Sequence, residues 1–269
     1  MIFYFSGTGN SEWVARQLAT QLNDRLHFIP DEMESEAHYK LRPNEKLGFV
    51  FPVYAWRVPK FILQFIQRME VENVDYVYFV ATCGDDSGSM LSYFNRVAKQ
   101  KGWNLACGFS VVMPEAYVSL PGFDVDDKMK ENRKLRAAKT RVDDICSFIA
   151  DSRKGRFDTI PGKFASIKSG LLGSFFNTFL MSHKPFHTND SCVGCGKCAQ
   201  ICPVHNIEMR EGGATKCDTS KTTSCQHPHW NKQCTGCLRC YHACPQRAIE
   251  YGRFTRGKGQ YLHPDLSLK

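Results

Sequence analysis

Apolar residues recur along this chain in two rhythms. Short unbroken runs alternate with segments where apolar side chains return every three or four positions. Ile2-Phe3-Tyr4-Phe5 is the first run, as expected for a central parallel strand buried on both faces. A helical pattern follows through Trp13, Val14, Leu18 and Leu22. Further strands are predicted at Arg25–Ile29, Leu47–Phe51, Asp75–Ala81 and Asn104–Met113. Helices are predicted at Pro59–Met69, Ser87–Gln100 and Asp126–Ser152, with Phe65, Phe94, Val97, Leu135, Val142, Ile145 and Ile149 among their apolar positions. Residues 30–46 are too polar and short for a full helix. This alternation predicts an α/β domain over residues 1–152. Residues 153–185 join it to the rest. There Ile167, Leu171, Leu172, Phe175, Phe176, Phe179 and Leu180 mark one helix face, expected to pack between domains. Lys168, Gly170 and Gly173 make it a poor membrane span; an interfacial membrane anchor is the alternative.

The periodicity then gives way to a repeat. Cys192-Val-Gly-Cys195-Gly-Lys-Cys198-Ala-Gln-Ile-Cys202-Pro203 recurs as Cys234-Thr-Gly-Cys237-Leu-Arg-Cys240-Tyr-His-Ala-Cys244-Pro245. Each copy is C-x2-C-x2-C-x3-C-P, the spacing with which bacterial ferredoxins hold 4Fe–4S clusters. The fourth Cys is expected to open a short helix pointing away, with the Pro in its first turn, and to serve the other repeat's cluster. One cluster is therefore assigned Cys192, Cys195, Cys198 and Cys244, the other Cys234, Cys237, Cys240 and Cys202. A zinc ribbon leaves no role for the third Cys or the C-P, and disulfides imply a secretion signal that Met1–Phe5 does not resemble. The repeat resembles the bacterial two-cluster ferredoxins over about residues 186–258, within a C-terminal domain 186–269.

Composition narrows the picture further. Thirteen Cys fit metal chemistry in a reducing cytoplasm. The formal charge of +8 invites nucleic acid. Two clusters with eight thiolates, however, bring about −4, and a bound phosphate monoester would bring roughly −2. No nucleic-acid motif accompanies the charge. Between the repeats, Cys217, Cys225, His227 and His229 follow no standard zinc spacing.

Ser6-Gly7-Thr8-Gly9-Asn10-Ser11 lies between the first strand and the first helix. Strand, Gly-rich loop and helix N-terminus make an anion site. No Gly-Lys-Ser/Thr follows, so it is no Walker loop. Glu12 occupies the place of the third glycine of a dinucleotide fingerprint. Hydroxyl and amide donors without Lys or Arg suit a phosphate monoester; an ordinary capped turn is the alternative. In an open α/β sheet the loops after neighbouring strands converge at the carboxyl ends. These are Pro52-Val53-Tyr54-Ala55-Trp56 and Thr82-Cys83-Gly84-Asp85. Tyr54 or Trp56 offers an aromatic face for a planar ligand; Cys83 reads equally as a ligand contact or a packing residue.

These stretches resemble flavodoxin, whose FMN-phosphate loop has the same Ser/Thr-x-Thr-Gly-Asn-Thr/Ser pattern. With the cluster repeat and Met113-Pro114, the chain resembles the flavodoxin–ferredoxin fusions of anaerobic microbes, the ferrodoxins. The resemblance implies a flavodoxin-like, doubly wound, five-stranded parallel sheet followed by a small α+β two-cluster domain. It implies FMN and two 4Fe–4S clusters as cofactors, and FMN contacts from Ser6–Ser11, Pro52–Trp56 and Thr82–Asp85. Two departures stand out. Ser89 occupies the place of the usual stacking Tyr, leaving that flavin face open or covered by Tyr117. Glu115-Ala116-Tyr117 replaces the family's x-Asn-Tyr after Met-Pro. The expected function is electron transfer coupling one-electron clusters to FMN, with no catalytic acid or base. The alternative is an FMN-dependent reductase of a small molecule. The expected partners are redox proteins, with neither nucleic acid nor a membrane.

Overall fold

The computed structural model describes residues 1–163, 182–211 and 226–265. The apolar face expected at 167–180 lies outside them, as do Cys217 and Cys225. The described residues form two compact units. One comprises 1–115 and 126–163; the other comprises 116–125, 182–211 and 226–265. Residues 116–125 thus leave the first unit after one strand and return before the next helix.

In the first unit, β1 (Ile2–Tyr4), α1 (Asn10–Leu22), β2 (Leu26–Phe28) and the single turn α2 (Ile29–Glu32) come first. They are followed by β3 (His38–Lys40), β4 (Leu47–Pro52), α3 (Lys60–Arg68), β5 (Glu70–Glu72) and β6 (Val77–Cys83). Then come α4 (Met90–Gln100), β7 (Leu105–Val112), α5 (Lys128–Ala150) and β8 (Arg156–Asp158). The main sheet runs β2-β1-β4-β6-β7-β8 with every pair parallel. Setting aside the separate β3–β5 pair, this is the flavodoxin-like order, with strand order reversing at β1.

The sheet has six strands where five were expected. The extra strand, β8, reads Arg-Phe-Asp and carries no apolar run. It is tied to α5 by charge: Arg156 reaches Asp144 at 2.9 Å and Arg141 reaches Asp158 at 2.9 Å. Its backbone pairs Cys107 with Arg156. A short charged edge strand leaves no hydrophobic signature.

Period-two alternation divides the core by face. Ile2, Tyr4, Val50, Tyr78, Val80, Phe109 and Val111 pack with Val14, Leu18, Val142 and Ile145 of α1 and α5. The intervening residues build an aromatic layer. Phe3 stacks on Phe49 at 5.9 Å, Phe49 meets Phe94 at 5.5 Å, and Phe51 stacks on Phe94 at 5.5 Å. Gly48 is required where it stands, because a Cβ there would run into the Tyr78 ring. α5 starts where the Asp127 carboxylate caps the Lys130 N–H at 2.8 Å.

The second unit is two short sheets and two single turns. β9 (Phe186–Thr188) precedes the first Cys loop, α6 (Lys197–Gln200) and β10 (Ile207–Glu211). β11 (Gln226–Trp230) precedes the second Cys loop, α7 (Arg239–His242) and β12 (Ile249–Tyr251). β9 pairs antiparallel with β12, and β10 with β11. Each repeat therefore begins on one sheet and ends on the other. Phe186 stacks on Trp230 at 5.4 Å and meets Tyr251 edge-on at 4.8 Å, centring the core.

The excursion 116–125 belongs to this core. Val118 is fully buried in it. The Lys258 ammonium donates to the carbonyls of Val118 (2.7 Å) and Leu120 (2.5 Å), and the Gly259 N–H donates to Asp124 Oδ1 at 2.9 Å. His242 on α7 meets the Ala116 carbonyl through Nε2 at 2.8 Å and accepts from the Tyr261 N–H at Nδ1 at 3.1 Å. Burial lowers the His242 pKa to about 4, keeping the ring neutral with its proton on Nε2.

Candidate functional site

In the first unit, the loops after β1, β4 and β6 are held side by side by strand register. The Phe5 N–H donates to the Val50 carbonyl at 3.0 Å and the Val53 N–H to the Thr82 carbonyl at 2.8 Å. Ser6, Gly7, Gly9, Asn10 and Ser11 are buried and Thr8 half-buried. Gly9 precedes α1 at φ 102°, in the left-handed region that favours glycine. No side chain caps α1, so its first-turn N–H groups have no partner within the helix.

The side-chain donors expected to face a phosphate largely brace the loop. Ser6 Oγ accepts from the Gly9 N–H at 3.0 Å, Asn10 Nδ2 donates to the Pro114 carbonyl at 3.0 Å, and Ser11 Oγ bonds Thr82 Oγ1 at 2.7 Å. The Thr8 hydroxyl makes no such bond among the described residues. Thr8 is the one residue of the loop that is not buried, and with the loop backbone it remains to meet a phosphate monoester.

Pro52, Val53, Tyr54, Ala55 and Trp56 are half-buried. Tyr54 and Arg57 exchange both backbone hydrogen bonds at 3.0 Å across Ala55 (φ 47°) and Trp56 (φ 62°). Positive φ at both central positions is the type I′ pattern, which Asn and Gly adopt more easily than Ala and Trp. Strain of this kind gathers at binding loops. After β6, Thr82 and Cys83 are buried, Gly84 is half-buried and Asp85 exposed. Burial pushes the Cys83 thiol up to about 12, the value of an inert packing residue.

A charged network beside this loop escaped the sequence reading. The Glu115 carboxylate lies where a Gly84 side chain would be. Lys134 Nζ donates to the Gly84 carbonyl at 2.8 Å and pairs with Asp126 at 2.7 Å. Asp126 also binds Lys130 at 2.7 Å and accepts from the Glu115 N–H at 2.9 Å. Burial acts to raise the Asp126 pKa, but these donors hold it below the ordinary carboxylate range. The spacing Asp126, Lys130, Lys134 is an i, i+4 series that could have pointed to it.

In the second unit, Cys192, Cys195, Cys198 and Cys244 line one pocket together with Met209, Pro228 and Ile249. The strand exchange explains this grouping: β9 leads into Cys192, and its partner β12 follows Cys244. Cys202 likewise precedes β10, whose partner β11 leads into Cys234. Cys202 lies within electrostatic reach of Cys234, Cys237 and Cys240. Gly194 holds φ 65°, and a Cβ there would come within 2.7 Å of the Gln226 carbonyl, so the Cys192 loop closes only with glycine.

One local expectation is corrected. The fourth Cys closes a helical turn instead of opening one: α6 and α7 contain Cys198 and Cys240 and end before Cys202 and Cys244. The following Pro disfavours helical geometry at the residue before it. Cys202 then turns the chain, with the His205 N–H donating to its carbonyl at 3.1 Å.

The donor chemistry fits cubane clusters. Burial pushes the Cys198 and Cys234 thiols up to about 12 and raises Cys237 and Cys240. A cluster's positive core would favour the thiolate form that these sulfurs take as ligands. Amides are aimed at their sulfurs: Asn206 N–H to Cys202 at 3.3 Å, Gly236 N–H to Cys234 at 3.4 Å and Ala248 N–H to Cys244 at 3.3 Å. Among the described residues no three His, Cys, Asp or Glu side chains gather as they would around a single ion. The four thiols of the first site instead surround a space.

Residues 185–208 and 229–250 match the family model of the 4Fe-4S binding domain. The second unit thus carries a ferredoxin domain of the iron–sulfur, electron-transfer class. Among solved structures, the Trp repressor binding protein from Bacillus subtilis is similar at 17% identity and a TM-score of 0.31, over 53% of this chain and 96% of that one. Likeness at that level carries no argument about function. No curated protein matches the chain. Among the described residues, no helix is long and apolar enough to cross a membrane.

Proposed function

We propose that this chain is an electron-transfer flavo-iron–sulfur protein that couples two 4Fe–4S clusters to FMN. Cys192, Cys195, Cys198 and Cys244 hold one cluster; Cys234, Cys237, Cys240 and Cys202 hold the other. Ser6–Ser11 receives the FMN phosphate, and Pro52–Trp56 and Thr82–Asp85 flank the ring. The observation that supports FMN most is the uncapped start of α1 behind a braced Ser/Thr/Gly loop at the reversal of strand order. A monophosphate suits it better than the pyrophosphate of FAD, because the third glycine of the dinucleotide fingerprint is replaced by Glu12. When bound, FMN exchanges electrons singly or in pairs, and each cluster carries one. The protein's own task is to position these centres and tune them through hydrogen bonds and burial. The partners are redox proteins, and the compartment is the reducing cytoplasm.

The test is anaerobic purification followed by iron and flavin assays. The expected content is two clusters and one FMN per chain. Thr8→Glu should abolish flavin binding and spare the iron; FAD, or no flavin at all, would refute the reading. Cys244→Ser should remove the cluster at Cys192, Cys195 and Cys198; loss at Cys234–Cys240 instead would refute the ligand exchange.

A further inference from the structure

The two thiol sites are built to one plan. Asn189 and Asn231 each stand three residues before the first Cys of a repeat, and Asn206 and Ala248 each stand four residues after the fourth. The Asn189 N–H donates to the Ala248 carbonyl at 2.9 Å, and the Asn231 N–H to the Asn206 carbonyl at 2.8 Å. The side-chain amides of Asn189 and Asn231 donate to Glu250 at 3.0 Å and to Glu208 at 2.7 Å. The backbone N–H groups of Ala248 and Asn206 donate to the fourth sulfur of each repeat, Cys244 and Cys202, at 3.3 Å in both cases.

The plan breaks at one side chain. At the first site the N–H before the first Cys, that of Ser191, is taken within its own loop by Asn189 Oδ1 at 3.0 Å. At the second site the equivalent N–H, that of Gln233, is taken by Asn206 Oδ1 at 2.7 Å. Asn206 thus ties the turn that carries Cys202 to the loop that opens with Cys234, and those two segments come from different repeats. Ala248 has no side chain with which to make that tie. The Asn206 side chain is also more than a space filler. The Gln233 N–H requires an oxygen, which fixes the amide and leaves Nδ2 buried without a hydrogen-bond partner. Such an atom costs stability, and Ala248 shows that the same turn forms with a methyl group. Exposure differs in the same sense: Cys202 and Cys240 of the second site are buried, whereas Cys195 of the first is exposed.

We propose that the two cluster sites are unequal in retention: Asn206 is a positioning residue that holds the second site closed, and the first cluster is the one given up first. This rests on the reading of the eight thiols as cluster ligands. A cluster leaves only when the segments carrying its ligands part. At the first site the Cys192 loop and the Cys244 turn are joined by the backbone bond from Asn189 to Ala248. At the second site the corresponding bond from Asn231 to Asn206 is backed by the side-chain tie to Gln233. Opening the second site therefore breaks one more buried hydrogen bond than opening the first.

The test is anaerobic incubation of the full, cluster-loaded chain with bathophenanthroline disulfonate, a ferrous-iron chelator. Iron release is followed by absorbance, and the surviving cluster is identified by electron paramagnetic resonance after reduction. Cys240→Ser separates the premise from the inference. Loss of one cluster identifies the second site's signal; retention of both would overturn the ligand reading itself, whatever Asn206 does. The parent chain should release iron in two phases, the first cluster leaving before the second. A single phase, or the reverse order, would overturn the proposal. Asn206→Ala should speed release from the second site about fivefold and leave the first site's rate unchanged. An unchanged second rate, or equal acceleration at both sites, would overturn it. Asn206→Asp keeps the oxygen that accepts from Gln233 and should keep the slow phase; release as fast as in Asn206→Ala would remove the tie as the cause. Should Asn206→Ala fail to load its clusters, the order of loss in the parent and the Asn206→Asp rate decide the matter.

Discussion

The sheet unit carries its stability in side chains, whereas the thiol unit has few to spare. Phe3, Phe49, Phe51, Phe79 and Phe94 are buried on one face of a six-stranded sheet, and α1 and α5 cover the other. Each such side chain contributes about 1.5–3 kcal/mol on burial. The thiol unit has helices of four residues and strands of three or five. Its core includes cysteines among its apolar residues. Small units of this kind need a staple. Under the proposed function, flavin and clusters would play different parts. FMN would enter a cradle already built by the fold, while the clusters complete the fold that holds them.

The largest expected effect separates the units directly. Removing iron under anaerobic conditions should strip the thiol unit of amide protection in hydrogen exchange and leave the sheet protected. Residues 116–125 make this sharper. They lie between β7 and α5 in sequence but pack with the thiol unit, so they should lose protection with it. Protection of 116–125 that follows the sheet would show that the segment is held by the sheet unit.

Next in size is Phe49→Ala. It empties the centre of the aromatic layer and should destabilise the sheet unit by about 3–5 kcal/mol. Cluster absorbance at room temperature should be unchanged. Chemical denaturation monitored separately at sheet and clusters would show whether the two transitions part as expected.

The smallest effect is electrostatic. Glu45 accepts from Arg25 at 3.0 and 2.7 Å and from the Arg42 N–H at 2.8 Å. Burial acts to raise its pKa, yet these donors lower it from 4.5 to about 2. A carboxylate with a depressed folded pKa stabilises the fold above its unfolded value, and that stabilisation is lost as pH falls through the folded one. Glu45→Gln should cost about 1 kcal/mol at neutral pH. The gap to the parent should close between about pH 4.5 and 2. A gap constant with pH would assign the loss to packing.

The comparison also explains which features were legible in the sequence. Buried parallel strands such as Leu47–Phe51 announce themselves as apolar runs, and the duplicated Cys spacing announces the thiol sites. β8 was invisible because Arg156 and Asp158 attach it by charge and backbone pairing. The excursion at 116–125 was invisible because Lys258 and His242 grip it through backbone carbonyls, which every residue possesses. The inverted position of the Cys202 and Cys244 turns lay in the C-P pair, where the restraint on the residue before Pro outweighs the fitness of Pro for a helix start. In the phosphate loop the residue types were legible, but not that Ser6, Asn10 and Ser11 brace the cradle.

Under the proposed function, electrons pass between the clusters and FMN within this chain. Rapid mixing tests it most directly: the clusters of loaded protein are reduced first, and flavin absorbance is followed at several protein concentrations. Flavin bleaching at a rate independent of protein concentration is expected, as is its loss when Thr8→Glu removes the flavin. A flavin that stays oxidised beside reduced clusters, or a rate that scales with protein concentration, would contradict it.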